Sequence, residues 1–213
     1  MDGLDPVQIR VLGCLLEKQQ TTPDAYPLTL NSLRLACNQT TSRDPVVDYD
    51  EATVREAAQR LGQRGWARLT SYHGSRTAKY RHLLGEALGL SPEERAPLCI
   101  LMLRGPQTLG ELKQRSEKLQ RFADLRAVEE VLDRLTARDL GAWLERRPGQ
   151  KEARYAQLLG AGDSEVGELE PAGPDSRSGR SEGDGAGGDV ERLRQEVADL
   201  RREVAELRER IGP

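Results

Sequence analysis

A chain that repeats a pattern within itself is restricted to folds made of one unit used twice, and this chain closes two segments in the same way. Val54–Gly85 ends Tyr80-Arg81-His82-Leu83-Leu84-Gly85, and Val128–Gly160 ends Tyr155-Ala156-Gln157-Leu158-Leu159-Gly160, so Y-x-x-L-L-G is written twice. Aromatic residues make up only 4% of the chain, which makes chance a poor explanation. The match continues upstream. Val54 and Leu61 recur as Val128 and Leu135, and Trp66 and Leu69 stand where Leu140 and Trp143 stand in the second copy. Self-similarity of this kind predicts two copies of one small unit.

The apolar spacing says what that unit is. Val54, Ala57, Ala58 and Leu61 follow a helical period, ended by Gly62 and Gly65. Trp66, Leu69 and Tyr72 then read as a short inward-facing strand, His73-Gly74-Ser75 as a turn, and Lys79–Leu84 as the returning strand. Upstream, Ile9, Leu12, Cys14, Leu15 and Leu16 mark one helix, and Thr29 opens another with Leu30, Leu33 and Leu35 directed inward. The second copy keeps this order with Leu98–Leu103, a helix opened by Thr108 with Leu109 and Leu112, then Val128–Leu135 and a hairpin turning at Pro148-Gly149. Three helices followed by a hairpin describe a winged helix-turn-helix, with the second and third helices crossing and the hairpin as wing. The expected fold is mainly α with small β-hairpins (α+β). One winged-helix domain is expected at 1–87 and a second at 88–160.

A chain of 213 residues has room for two such modules, each large enough to bury a core. Aliphatic side chains must fill it, since Phe122 is the only phenylalanine. Cys14, Cys37 and Cys99 stand among aliphatic residues and never as C-x-x-C, which fits buried thiols in a reducing compartment. The start has no basic signal region, and the longest apolar run, Leu98–Leu103, is too short to span a bilayer. A cytoplasmic protein with no membrane partner is expected.

Beyond Gly160 the composition changes. Residues 161–188 are rich in glycine, hold no aromatic residue, and set Arg177 and Arg180 against seven acids. Such a stretch buries too little surface to order itself, and is expected to be a disordered, acidic linker spanning roughly 30 Å. Residues 189–213 then carry Val190, Leu193, Val197, Leu200, Val204, Leu207 and Ile211 at alternating steps of three and four. β-branched residues at every a position with Leu at every d position favour a parallel two-stranded coil. Asp189, Glu196 and Glu203 would face Arg194, Arg201 and Arg208 of a second copy. A homodimer through this coil is expected; the alternative is a single amphipathic helix.

Charge bears on partners. Residues 1–85 hold eleven Lys and Arg against nine acids, and residues 86–160 hold thirteen against twelve, so neither module is a strongly basic clamp. The local distribution is more informative. The third helix of the first module would present Arg55, Gln59, Arg60, Gln63 and Arg64, side-chain types that contact base edges and phosphates, and its wing adds Arg76, Lys79 and Arg81. The equivalent helix of the second module carries Glu129, Glu130 and Asp133, which would repel phosphate. Two functions follow: a regulator binding double-stranded DNA through the first module, or a scaffold whose modules bind an unidentified protein. Trp66, Trp143, Tyr80 and Tyr155 are expected in the core rather than as stacking platforms.

No nucleotide-binding or hydrolase motif occurs, and His73 and His82 have no cysteine or carboxylate pair at metal-ligand spacing. A histidine in a wing is expected at the surface. Binding rather than catalysis is expected, with no cofactor and no metal. The polar run Asn38–Arg43 reads chiefly as helix-boundary chemistry and secondarily as a phosphate-contacting turn.

Several blocks together resemble a known family. R-V-L-G-C-L-L-E-K at Arg10–Lys18, T-T-P-D-A-Y-P-L at Thr21–Leu28, L-A-C-N-Q at Leu35–Gln39 and R-D-P-V at Arg43–Val46 are similar to the YceH-like bacterial family. The same holds for Gly74-Ser-Arg76 with Lys79-Tyr80, L-R-G-P-Q-T at Leu103–Thr108, Gly110-Glu-Leu112 and Pro148–Tyr155. The resemblance covers about residues 4–160. It implies tandem winged-helix domains and carries no implied activity.

Overall fold

Asp5 opens the first helix. In a computed structural model, which describes residues 3–70, 77–146 and 152–160, helix α1 runs Pro6–Thr21. The Asp5 carboxylate accepts from the Gln8 amide at 2.8 Å and the Gln8 side chain accepts from the Asp5 amide at 2.9 Å, satisfying two otherwise orphaned donors. Strand β1 (Leu28–Thr29) leads directly into α2 (Leu30–Cys37), with the Thr29 hydroxyl accepting from the Ser32 amide. Helix α3 (Glu51–Gln63), strands β2 (Ala67–Thr70) and β3 (Lys79–His82), and the short helix α4 (Leu84–Ala87) complete the first copy. The second copy comprises α5 (Pro92–Arg104), α6 (Leu109–Ser116), α7 (Leu125–Thr136), β4 (Gly141–Leu144) and β5 (Arg154–Gln157). Among the described residues the chain is thus α+β, helical with two small antiparallel sheets.

The duplication holds at the level of single hydrogen bonds. Trp66 N–H donates to Leu61 O at 2.9 Å, and Leu140 N–H donates to Leu135 O at 3.0 Å. Leu83 N–H returns to Trp66 O at 2.7 Å, and Leu158 N–H to Leu140 O at 3.1 Å. Leu69 faces Tyr80 across one hairpin and Trp143 faces Tyr155 across the other. The Y-x-x-L-L-G pattern is therefore a register lock: its tyrosine pairs across the hairpin and its first leucine ties the returning strand to the end of the third helix. The copies differ at the sheet edge. β1 adds a third strand to the first sheet, in the order β1-β3-β2, whereas Gln107 makes only an isolated bridge to Tyr155.

Both copies contribute to one hydrophobic core, in which α1 packs on α5. Gly13 allows that approach: a Cβ there would lie 2.9 Å from Leu103 Cδ2 and 3.2 Å from Met102 Cβ. The Cys99 thiol donates to Gly13 O at 3.4 Å across the same contact. Cys14, Cys37 and Cys99 are free and buried, as expected.

Two inward positions and one strand boundary need correction. Leu35 is 54% exposed, because α2 buries Leu33, Ala36 and Cys37 and two helical residues from Leu33 is the opposite face. Leu69 is 55% exposed; Trp66 takes the core position, and a spacing of three in a period-two strand cannot direct both inward. The returning strand ends at His82, with fully buried Leu84 starting α4 instead. Trp66, Tyr80 and Tyr155 are in the core, and half-buried Trp143 packs edge-on against Tyr155 at 4.6 Å between ring centroids. His82 is buried, contrary to the surface position expected of it. The expected turns at His73-Gly74-Ser75 and Pro148-Gly149, and the expected linker at 161–188 and coil at 189–213, lie outside the described residues.

Candidate nucleic-acid interface

The position of α3 is set by the loop before it, and that loop is held from inside. Arg43 lies in this loop with its side chain withdrawn from solvent; it donates to Glu17 Oε1 at 3.0 Å and Oε2 at 2.6 Å, to Ala36 O at 3.1 Å and to Gln39 Oε1 at 2.9 Å. Burial alone would raise the Glu17 carboxyl, but the hydrogen bonds and charge of Arg43, helped by Lys18, hold it below the usual carboxylate range. Buried Arg10 donates to Cys37 O at 3.1 Å and Pro45 O at 2.6 Å. Asn38 closes the loop by donating to Tyr49 O at 2.8 Å and accepting from the Tyr49 amide at 2.9 Å. Asp50 then caps α3, its carboxylate accepting from the Thr53 amide at 2.7 Å. The L-A-C-N-Q and R-D-P-V blocks are thus the internal scaffold of this approach, and much of the Asn38–Arg43 polar run is engaged within the protein.

On α3 itself Val54, Ala57, Ala58 and Leu61 face the core, leaving Arg55, Gln59, Arg60 and Gln63 exposed. Both arginines have i,i+4 partners: Arg55 pairs with Glu51 at 2.5 Å, and Arg60 with Glu56 at 2.6 Å and Asp5 at 3.5 Å. Arg64 is half-buried, its guanidinium 4.4 Å from the Trp66 ring centroid in a cation–π contact. Lys79 and Arg81 are half-buried on β3, and Arg81 pairs with Glu86 at 2.9 Å. Helix α3 packs against β2 of the hairpin, and Tyr80 lies on the neighbouring β3. Burial raises the Tyr80 hydroxyl pKa, an effect that the charge of Arg55 opposes and that of Glu51 adds to. Arg76 lies outside the described residues, as do Val190, Leu193, Val197, Leu200, Val204, Leu207 and Ile211.

Sequence reasoning missed Arg68. It is exposed on β2 directly opposite Arg81, so two cations share one cross-strand pair. Only the strand register reveals this, and register depends on the turn and the partner strand. Like charges directly opposite destabilise a hairpin slightly, and Glu86, 2.9 Å from Arg81, offsets part of that repulsion.

The equivalent face of α7 differs. Glu130 is exposed and pairs with Arg126 at 3.1 Å, while Glu129 and Asp133 are half-buried. Its later cations turn toward the start of α5: Arg134 pairs with Glu93 at 3.3 Å, and Arg138 with Glu94 at 3.5 Å. Among the described residues no group of three or more His, Cys, Asp or Glu is placed to hold a metal, and no helix is long and apolar enough to cross a membrane.

Comparison with known proteins adds the family. Residues 4–150 match the family model described as "Protein of unknown function, DUF480". A UPF0502 protein of Pelobacter propionicus is 49% identical over 207 residues, covering 92% of each chain. A UPF0502 protein of Geotalea uraniireducens is 50% identical over 174 residues, covering 81% of this chain and 78% of its own. Another from Geobacter sulfurreducens is 49% identical over 173 residues, covering 80% and 78%. The YceH-like resemblance carried by the L-A-C-N-Q and R-D-P-V blocks is the same relationship, and the chain belongs to the DUF480 family, whose curated relatives are called UPF0502 proteins.

Proposed function

We propose that each copy is a winged helix and that the protein is a cytoplasmic, non-enzymatic regulator binding double-stranded DNA through α3 and the β2–β3 hairpin. The observations that support this reading are the exposure of Arg55, Gln59, Arg60 and Gln63 on α3 and the pairing of Arg68 with Arg81 across the hairpin, where Thr70 pairs with Lys79 two residues along. The ion pairs on this surface are weak obstacles, since solvent-exposed pairs contribute about 0–1 kcal/mol and can be exchanged for phosphate contacts. The weight of the interface falls on the hairpin. Glu51–Gln63 balances two arginines with two glutamates, whereas β2 and β3 add Arg68, Lys79 and Arg81 with no acid between them on the strands. A C-terminal coil would bring two such surfaces together and favour a two-fold-related site.

The test is fluorescence anisotropy with a mixed pool of double-stranded fragments at about 50 and 200 mM salt, a range over which phosphate contacts weaken binding steeply. Arg68→Glu/Arg81→Glu is expected to weaken binding by about tenfold or more and to flatten the salt dependence. Equal binding by wild type and the reversal variant would remove the DNA reading. The second reading, a scaffold binding protein partners, is favoured by the charge balance of α3 and by the carboxylates of α7. It predicts salt-insensitive, negligible DNA binding by both proteins.

A further inference from the structure

A cleft of about 240 Å³ opens between the two copies, lined by Glu17 and Thr21 of α1, Ser42 of the following loop, Ile100, Leu103 and Arg104 of α5, and α6 with the turn after it. That volume is below the roughly 300–1,000 Å³ of sites for drug-sized ligands, so an occupant must be small. Half-buried Leu119 and the small accessible part of Ile100 supply apolar wall, Leu103 being turned into the core, and Thr21, Ser42 and Gln114 supply uncharged polar groups.

The charges around it do not cancel locally. Glu17 is engaged by Arg43 at 2.6 Å and Lys18 at 3.2 Å, and Glu117 lies 3.9 Å from Arg121. Arg115 is bound to Glu111 at 3.2 Å. Half-buried Arg104 and exposed Lys118 have no carboxylate partner within ion-pair distance among the described residues. Burial, and then the charges of Arg115 and Arg43, lower the pKa of Arg104, while the charges of Glu17 and Asp44 oppose this. An uncompensated, partly desolvated guanidinium gains most when an anion arrives. Ser42 reaches the cleft from a left-handed backbone with φ of 61°, a conformation that costs a non-glycine residue energy and recurs where binding groups are positioned.

We infer that this cleft binds a small organic anion, its carboxylate or phosphate group held by Arg104 and Lys118 and its apolar part against Leu119 and the accessible part of Ile100. The inference does not depend on the DNA reading, since none of these residues belongs to the α3 and hairpin surface. It has a structural consequence: the amide of Asp44 donates to Leu103 O at 2.9 Å, so the wall of the cleft is tied to the loop that leads into α3.

The experiment uses the full chain and titrates phenyl phosphate, benzoate, uncharged benzamide and inorganic phosphate, followed by calorimetry and by amide chemical shifts. At least one aromatic anion is expected to bind with shifts centred on Ser42, Leu103, Arg104 and Lys118, and the stronger of the two identifies the acid group preferred. Arg104→Gln, and separately the exposed Lys118→Gln, are expected to weaken it, the former by about tenfold or more. Failure of both aromatic anions to bind, equal binding of benzamide, equal binding of inorganic phosphate, or unchanged affinity in Arg104→Gln would each overturn the site. Arg104 also ends α5, and a purely structural role there would lower the melting temperature of Arg104→Gln while leaving affinity intact.

Discussion

At the scale of single residues, His82 departs furthest from its expected environment. Its Nε2 lies 2.6 Å from Gln19 Oε1, its amide donates to the Tyr26 hydroxyl at 2.7 Å, and its Nδ1 is buried without a partner. Burial, reinforced by Arg95 and Arg81, lowers its pKa from 6.5 to about 4, so the folded protein holds it neutral. The unfolded chain then binds the extra proton between those values, and stability must fall as pH drops from 6.5 toward about 4. The effect is on the order of 3 kcal/mol. Urea unfolding at pH 7 and pH 4.5 is expected to show a larger loss for wild type than for His82→Gln; matching losses would mean that His82 titrates normally in the fold.

At the scale of elements, the loop between α2 and α3 rests on the Arg43–Glu17 pair. Removing one partner of a buried pair leaves the other charge uncompensated, at about 3–5 kcal/mol, whereas replacing both with apolar side chains is often much milder. Arg43→Met should therefore lower stability by roughly 3 kcal/mol, and Glu17→Leu/Arg43→Met by less than that single change. Denaturant midpoints of the wild type and the two variants test it, and an equal or larger loss in the double variant would show that the pair is not what holds the loop. The loop was legible in the sequence only as a polar boundary. Arg43 and Glu17 are brought together by α1 packing against α2, and a contact across that separation has no local signature.

At the scale of the whole molecule, the two copies share one core through α1 and α5, so they should unfold together. The two tryptophans make this measurable, as Trp66 reports the first copy and Trp143 the second. Fluorescence midpoints of Trp66→Phe and Trp143→Phe should coincide with the circular-dichroism midpoint of each variant. Gly13→Val, which adds bulk at the contact with buried Leu103, should shift both reporters together by roughly 1–3 kcal/mol. Separate midpoints, or a shift seen by one reporter alone, would mean that each copy has its own cooperative core.

The sequence alone determined the three helices and the hairpin of each copy, though not β1, α4 or the end of β3, because helical spacing, capping residues such as Thr29 and Thr108, and the Y-x-x-L-L-G closure act over a few residues. It also identified Arg55, Gln59, Arg60 and Gln63 as an outward helix face, since the positions between them are apolar at the core period. Only the tertiary structure decided which cations are already paired, that Arg68 joins Arg81 across the hairpin, that His82 is buried, and that α1 and α5 enclose a cleft ending at Arg104. These depend on register and on packing between distant segments. A side chain's charge is written in the sequence, but what compensates it is set by what the fold brings within a few ångströms.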